Sequence, residues 1–331
     1  MDWSLISETT FSSIFSLETI VFVLAAMGLN FHYGYTGLMN FGQAAFLAAG
    51  AYGVAITFET FGWSMWVGIL VGIIFSMLLA LLLGIPTLRL RGDYLAIVTI
   101  AASEIIRLIA RSEALEDITG GNSGINGFAN SFYDLNPFSN GEFYQLGPFK
   151  YLGARLWVQI VGWIVVALVA LVTYLLVRSP WGRVLKSIRE NEDAARSLGK
   201  NVYGYKMQAL MIGGVVGALG GILGAIGDQS VQPDSFVTRT TFIAYACLNL
   251  GGAARVGGPI LGGVIFYVAF RFLDVIIDQM EKNNWVPDSI VNSIQAGLVR
   301  FMFLGIALML LMVFRPQGIL GNKRELELDD R

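Results

Sequence analysis

The sequence predicts an all-α polytopic membrane protein with about nine transmembrane helices, within a range of eight to ten, some of them discontinuous and glycine-rich. Only 14% of the 331 residues are charged and 55% are hydrophobic, whereas a soluble domain carries about a quarter charged residues. Apolar stretches of 18 or more residues recur along the chain, long enough to cross a ~30 Å hydrocarbon core as helices. Lysine and arginine collect in one segment between two such stretches, the distribution that fixes orientation in a membrane.

The spans are expected at 17–33, 36–57, 63–85, 94–111, 155–177, 207–227, 239–254, 257–277 and 294–314. The head before the first carries Asp2, Glu8 and Glu18 and no basic residue, so no cleavable leader is expected. His32 near the end of the first span, beside Tyr33 and Tyr35, reads as an interfacial residue. The second span is interrupted by Asn40, Gln43 and five glycines between Gly34 and Gly53, the composition of a broken helix whose polar groups face a cavity or neighbouring helices. Asn40 and Gln43 either line a pathway or hydrogen-bond between helices. The fourth span carries Thr99, Glu104 and Arg107. The last two sit three residues apart on one helical face, either as a local ion pair or as groups that hold the ends of a zwitterionic substrate. Gly213, Gly214, Gly217, Gly220, Gly221 and Gly224 give the sixth span a small face for close packing. The seventh is short enough to be broken or re-entrant and holds Cys247, the one cysteine, which excludes an intramolecular disulfide and a thiolate metal cluster. Arg271 and Asp274 repeat the i, i+3 arrangement near the outer end of the eighth.

Residues 178–206 contain Arg178, Arg183, Lys186, Arg189, Arg196, Lys200 and Lys206 and are therefore expected on the cytoplasmic side. The Arg89 and Arg91 turn, Arg255, and a tail with Lys323 and Arg324 follow to the same side. Segment 112–154 carries Glu113, Glu116, Asp117, Asp134 and Glu142 and belongs outside. It reads as turns and short packed pieces, either a connector or a surface for a receptor. The N-terminus is then external and the C-terminus cytoplasmic. Residues 1–321 are expected to form one permease domain, with 322–331 a charged cytoplasmic tail. A net charge of −2 argues against a nucleic-acid partner.

Within the basic loop, WGRVLKSIRENEDAARSLGK (Trp181 to Lys200) combines helix formers with Gly199 as a stop, predicting a short helix from about Glu190 to Gly199. Ala194 and Ala195 offer a small face for another protein, and Arg183, Arg189, Glu190, Glu192 and Asp193 flank it. The stretch DAARSLG (Asp193 to Gly199) resembles the EAA-x3-G signature of permease subunits of ABC importers, with Asp in place of Glu. Ser179 to Lys206 is similar to the corresponding loop of the branched-chain amino acid permeases of the LivM type. Gly34 to Tyr52, Leu88 to Ile109, Thr119 to Gly127, Gly251 to Gly263 and Phe314 to Gly321 match that family in the same order, with Gln43 standing where relatives often carry histidine.

The resemblance implies a permease subunit in the bacterial inner membrane that moves branched-chain or related amino acids. It implies as partners a second, LivH-like permease, two ABC ATPase subunits that receive the loop helix, and an extracytoplasmic substrate-binding protein. No cofactor is expected on this chain. With no GxxxxGK[ST] phosphate loop in the sequence, ATP and Mg belong to the ATPases. Asn40, Gln43, Thr99, Glu104 and Arg107 are the candidate pathway residues. Urea or short amides, then sugars or nucleosides, are alternative substrates. A gradient-driven secondary transporter is the rival class. A membrane enzyme has little support from a chain with one histidine and no metal-ligand cluster or base-paired nucleophile.

Overall fold

The computed structural model describes residues 3–89, 92–146, 149–282, 302, 305–306, 309, 313–315 and 317–321. Arg91, most of the predicted ninth span and the 322–331 tail lie outside them. Among the described residues, the hydrophobic stretches are mainly helical. Helix α1 (Trp3–Ser12) lies ahead of the first expected span and packs on the helix formed by Gly257–Lys282. Ser16 then caps α2 (Leu17–Leu29), its hydroxyl accepting from Thr19 N at 3.3 Å. The last turn of that span widens into a π turn, Asn30–Gly34.

The second span does not begin at 36. Residues 37–42 are irregular and α3 covers Gln43–Glu59, with Gly37 at φ +73° in the left-handed region that glycine enters without strain. Helix α4 (Met65–Thr87) is capped by Ser64, and α5 (Gly92–Arg111) follows. The segment after α5 is made of short pieces: α6 (Glu116–Thr119), β1 (Ile125–Asn126), α7 (Asn130–Tyr133) and the hairpin of β2 (Phe143–Leu146) with β3 (Phe149–Leu152). Helix α8 (Gly153–Arg178) leads to α9 (Pro180–Glu190) and α10 (Glu192–Ser197), and α11 (Val202–Asp228) returns. Strand β4 (Ser230–Val231) pairs antiparallel with β1, and a 3-10 turn, Pro233–Phe236, precedes α12 (Thr238–Gly251) and α13 (Gly257–Lys282).

Among the described residues, five stretches, Leu17–Gly34, Met65–Thr87, Gly153–Arg178, Val202–Asp228 and Gly257–Met280, are long and apolar enough to cross a membrane. Helices α3, α5 and α12 pack among them. At 14 residues, α12 rises about 21 Å and cannot cross a ~30 Å core alone.

Two halves repeat one order, a helix, an irregular break, a second helix and a long helix: α2, α3, α4, then α11, α12, α13. Helices α2 and α11 run antiparallel, with Gly28 against Gly213, Leu24 against Gly220 and Leu17 against Gly227. Each half packs on the other's lead helix, α3 and α4 on α11 and α12 and α13 on α2. Residues 37–42 break the first half at the basic end, and 229–237 break the second at the opposite end.

Close approach is possible because small residues meet. A Cβ on Gly50 would collide with the carbonyl of Ala218, and one on Gly221 with the carbonyl of Leu47, both across the α3–α11 seam. In lipid, where burying apolar side chains gains nothing over lipid tails, such van der Waals contact is what holds helices together.

This predicts that Gly50→Ala destabilises the purified protein by about 1–3 kcal/mol, the cost of overpacking. Gly141→Ala, where nothing lies within 4 Å, should stay within about 0.5 kcal/mol. Thermal unfolding in one detergent, followed by tryptophan fluorescence, measures both, and equal midpoints would rule out a tight seam.

Candidate coupling loop and intramembrane polar cluster

At the basic end, residues 178–206 fold into two helices rather than one. Asn191 takes an extended conformation (φ −155°, ψ 106°) and its side chain accepts from Ala194 N at 2.9 Å. An Asn side chain that caps a helix competes with backbone continuation through that position, so the run of helix formers breaks there. Gly199, at φ +77°, ends α10, with Gly199 N donating to Arg196 O at 2.9 Å.

The loop is pinned rather than loose. Leu185 and Ile188 on α9 are buried, and Ile188, Ala195 and Val202 form one small cluster. Trp181 Nε1 donates to Gln208 Oε1 of α11 at 2.7 Å, and Arg189 Nη1 donates to the carbonyl of Gly34 at 2.8 Å. Glu192 bridges Arg196 at 2.9 Å and also Lys206, while Asp193 pairs with Arg196 at 3.4 Å. The two alanines expected to share a face are separated: Ala195 is buried against α9 and Ala194 is exposed. Arg183 and Glu190 are exposed. Leu198, which sequence reasoning passed over, is 79% exposed at the end of α10. Its place between Arg196 and Lys200, an apolar residue inside a run of charges, is the signal that the sequence carried.

The Arg89 side of the same end joins this loop, Arg89 Cζ lying 5.9 Å from the centroid of the Tyr203 ring. A cavity of about 900 Å³ opens between them, lined by Arg89, Glu192, Asp193, Arg196 and Lys206 among others. Arg255 is brought to the same end through Asn30, whose Nδ2 donates to the Arg255 carbonyl at 2.9 Å and whose Oδ1 accepts from Ala254 N at 2.8 Å.

Inside the bundle, the start of α3 creates a problem that polar side chains solve. The first N–H groups of a helix have no partner within it, and hydrocarbon supplies none. Here Phe41 N donates to Thr99 Oγ1 of α5 at 3.0 Å, Gly42 N to Asn40 Oδ1 at 2.9 Å, and Ala44 N to Thr241 Oγ1 of α12 at 2.9 Å. Tyr245 donates its hydroxyl to Asn40 O at 2.9 Å. The Asn40 amide NH₂ lies 3.0 Å from His32 Nδ1, and His32 Nε2 lies 3.1 Å from the carbonyl of Leu210. Nδ1 must therefore accept and Nε2 carry the proton.

His32 is thus buried in the bundle, 0% exposed, and not at an interface. The interfacial expectation failed because the π turn rotates the imidazole inward against α11, whose Gly213 leaves room for it. Gln43 Nε2 reaches the carbonyls of Ala25 at 3.3 Å and Gly213 at 3.5 Å. Asn40, Gln43 and Thr99 are all enclosed.

Glu104 and Arg107 stand apart from this cluster. Their side chains meet at 2.6 Å, and Arg107 Nη1 also reaches Asp234 at 2.7 Å, with Arg111 3.6 Å from the same carboxylate. Arg107 is 11% exposed and Glu104 39%. The i, i+3 pair was legible in the sequence, but Asp234, 127 residues away, was not. It turns a local pair into a tie between α5 and the turn that leads into α12. Arg271 and Asp274 also pair, at 2.6 Å.

Comparison with known proteins agrees with this architecture. The family model described as branched-chain amino acid transport system / permease component matches residues 13–313. The high-affinity branched-chain amino acid transport system permease protein LivM of Salmonella typhimurium is 30% identical, covering 92% of this chain and 69% of the relative. A probable LivM of Methanocaldococcus jannaschii is 27% identical over 92% of this chain and 91% of its own length. The nucleoside ABC transporter permease protein NupC of Lactococcus lactis is 24% identical over 82% and 85%. No solved structure matches. With the family model covering nearly the whole helical bundle, the chain belongs to the family of branched-chain amino acid transport permease components.

Proposed function

We propose that this chain is the membrane-spanning permease of an ATP-driven importer for branched-chain amino acids, working with a second permease, two ATPase subunits and an external binding protein. The observation that carries the reading is the α9–α10 loop, a pinned pair of short helices that presents Leu198 and Ala194 outward and continues directly into α11. The basic end is then cytoplasmic, with the N-terminus outside and the C-terminus inside, because lysine and arginine favour that side. Force applied by a partner at α10 passes through the Ile188–Ala195–Val202 cluster and Trp181–Gln208 to α11. Helix α11 packs on both α2 and α3, so a shift of α11 is felt in both halves. ATP and Mg bind to the ATPases.

Of the candidate pathway residues, Glu104 is the one that combines charge with exposure. In this reading Glu104 and Arg107 border the outer part of the route and offer both charges to a zwitterion. Asn40, Gln43 and Thr99 hold the wall behind it. Nucleosides are the second reading of the substrate, favoured by the Lactococcus lactis relative.

Leu198→Asp should lower ATP-dependent uptake in proteoliposomes at least about tenfold, the scale on which losing a buried apolar anchor at an interface acts. The purified chain should keep its thermal midpoint, since Leu198 touches solvent here. Undiminished, ATP-coupled uptake would refute the docking role.

Proteoliposomes holding the complete complex should accumulate labelled leucine, isoleucine or valine only with ATP and the binding protein. Uptake that persists without ATP and collapses with the proton gradient would establish a secondary transporter instead.

Glu104→Gln keeps the shape but removes the charge. It should reduce uptake while leaving substrate-independent ATPase activity of the complex intact. Loss of the protein from the membrane would assign Glu104 to folding alone.

A further inference from the structure

A second cavity at the basic end, about 530 Å³, is bordered by Arg178, Lys186 and Arg255, with Tyr174, Val177 and Leu320 among its other walls. Its charge balance differs from that of the larger cavity nearby. There Glu192 and Asp193 offset Arg89, Arg196 and Lys206. Here three cations converge and, among the described residues, no carboxylate lines the space and none forms an ion pair with any of the three. Like charges gathered this way repel unless an anion lies between them.

The cavity sits at the end of α8, a helix long and apolar enough to cross a membrane. Arg178 is the last residue of α8, whose exposed Leu168, Leu171, Val172 and Leu175 run toward it. Tyr174, 40% exposed, lies at the mouth with Arg178 Cζ 4.1 Å from its ring centroid, in the manner of aromatic side chains at membrane interfaces. Arg255 is held in place from behind, because Asn30 binds both the Ala254 amide and the Arg255 carbonyl. Basic pockets between membrane helices on the cytoplasmic side are suited to anionic headgroups.

We propose that this cavity binds the phosphate headgroup of an anionic phospholipid, whose acyl chains lie along the exposed face of α8. A soluble phosphate would have no use for the apolar approach along α8. The bound headgroup joins the α8–α9 corner, through Arg178 and the mid-α9 Lys186, to the turn between α12 and α13, which lies far along the chain. It thereby fixes the root of the α9–α10 loop on the bundle. The inference needs only that the chain lies in a membrane, so its failure would leave the importer reading untouched.

The test uses native mass spectrometry of the purified full-length chain in detergent, titrated with phosphatidylglycerol or phosphatidylcholine of the same acyl length. Phosphatidylglycerol should be retained and phosphatidylcholine should not. The triple variant Arg178→Gln, Lys186→Gln, Arg255→Gln should bind phosphatidylglycerol on the order of a hundredfold more weakly, since each cation contributes about fivefold near an anionic surface. Should the triple variant fail to fold, each single variant is expected to show about fivefold loss. Lys200→Gln, a basic-end change away from the cavity, should bind as the unaltered chain does. Equal retention of the two lipids, or unchanged retention by the foldable variants, would overturn the proposal. Displacement by inorganic phosphate would replace the lipid with a soluble anion. Binding that appears only after residues 322–331 are removed would assign the cavity to the carboxylates of the chain's own mixed-charge tail, Glu325, Glu327, Asp329 and Asp330.

Discussion

Helix α3 begins inside the bundle, and the membrane offers its first N–H groups nothing to bond. Each donor left unpaired there would cost about 1–3 kcal/mol or more. Thr99 from α5, Thr241 from α12 and Asn40 from the break itself supply the acceptors. Asn40 is in turn held by Tyr245 of α12 and by His32, which is held by the Leu210 carbonyl of α11. One unsatisfied helix start therefore draws four other helices to a point, and the break can exist only because all of them are in place.

The close meeting of those helices is a separate requirement, met by the small-residue seams of α11. Gly213 leaves room for the His32 imidazole and Gly217 for the Gln43 amide, so the same glycines that permit packing also admit the polar side chains. Packing and polar satisfaction are coupled here: a Cβ at either position would displace a hydrogen-bonding group as well as a helix. This makes α11 a poor place for independent local motion and a good one for transmitting a displacement as a unit. Its extension at the basic end, the α9–α10 loop, is anchored to it and to Gly34 by Trp181 and Arg189. The loop thus meets the bundle at the foot of the break in the first half. At the opposite end, Arg107 and Asp234 tie α5 to the foot of the break in the second half. Both irregular segments are braced by long-range polar contacts, Phe41 to Thr99 and Asn40 to Tyr245 at the first and Arg107 and Arg111 to Asp234 at the second.

Much was legible without coordinates. Hydropathy located the spans, because a membrane helix must be apolar along its length. The lysine and arginine distribution identified the loop, and its residues carried the family resemblance that the match over residues 13–313 supports. The i, i+3 spacing of Glu104 and Arg107 was enough to pair them, since helical geometry alone sets that distance. What sequence could not decide were contacts between residues far apart in the chain. Asp234 joins Arg107 across 127 positions, and His32 meets Leu210 across 178. The rotation of the π turn that buries His32 and the capping by Asn191 that divides the loop into two helices are settled by competition among local hydrogen bonds and the neighbours that packing brings near. The sequence by itself determined that this chain lives in a membrane, roughly where its spans lie and which loop is basic, because those follow from solvent, local periodicity and composition. Only the tertiary structure decided which polar groups complete the broken helix and which cations line one cavity, because both depend on what is close in three dimensions and distant along the chain.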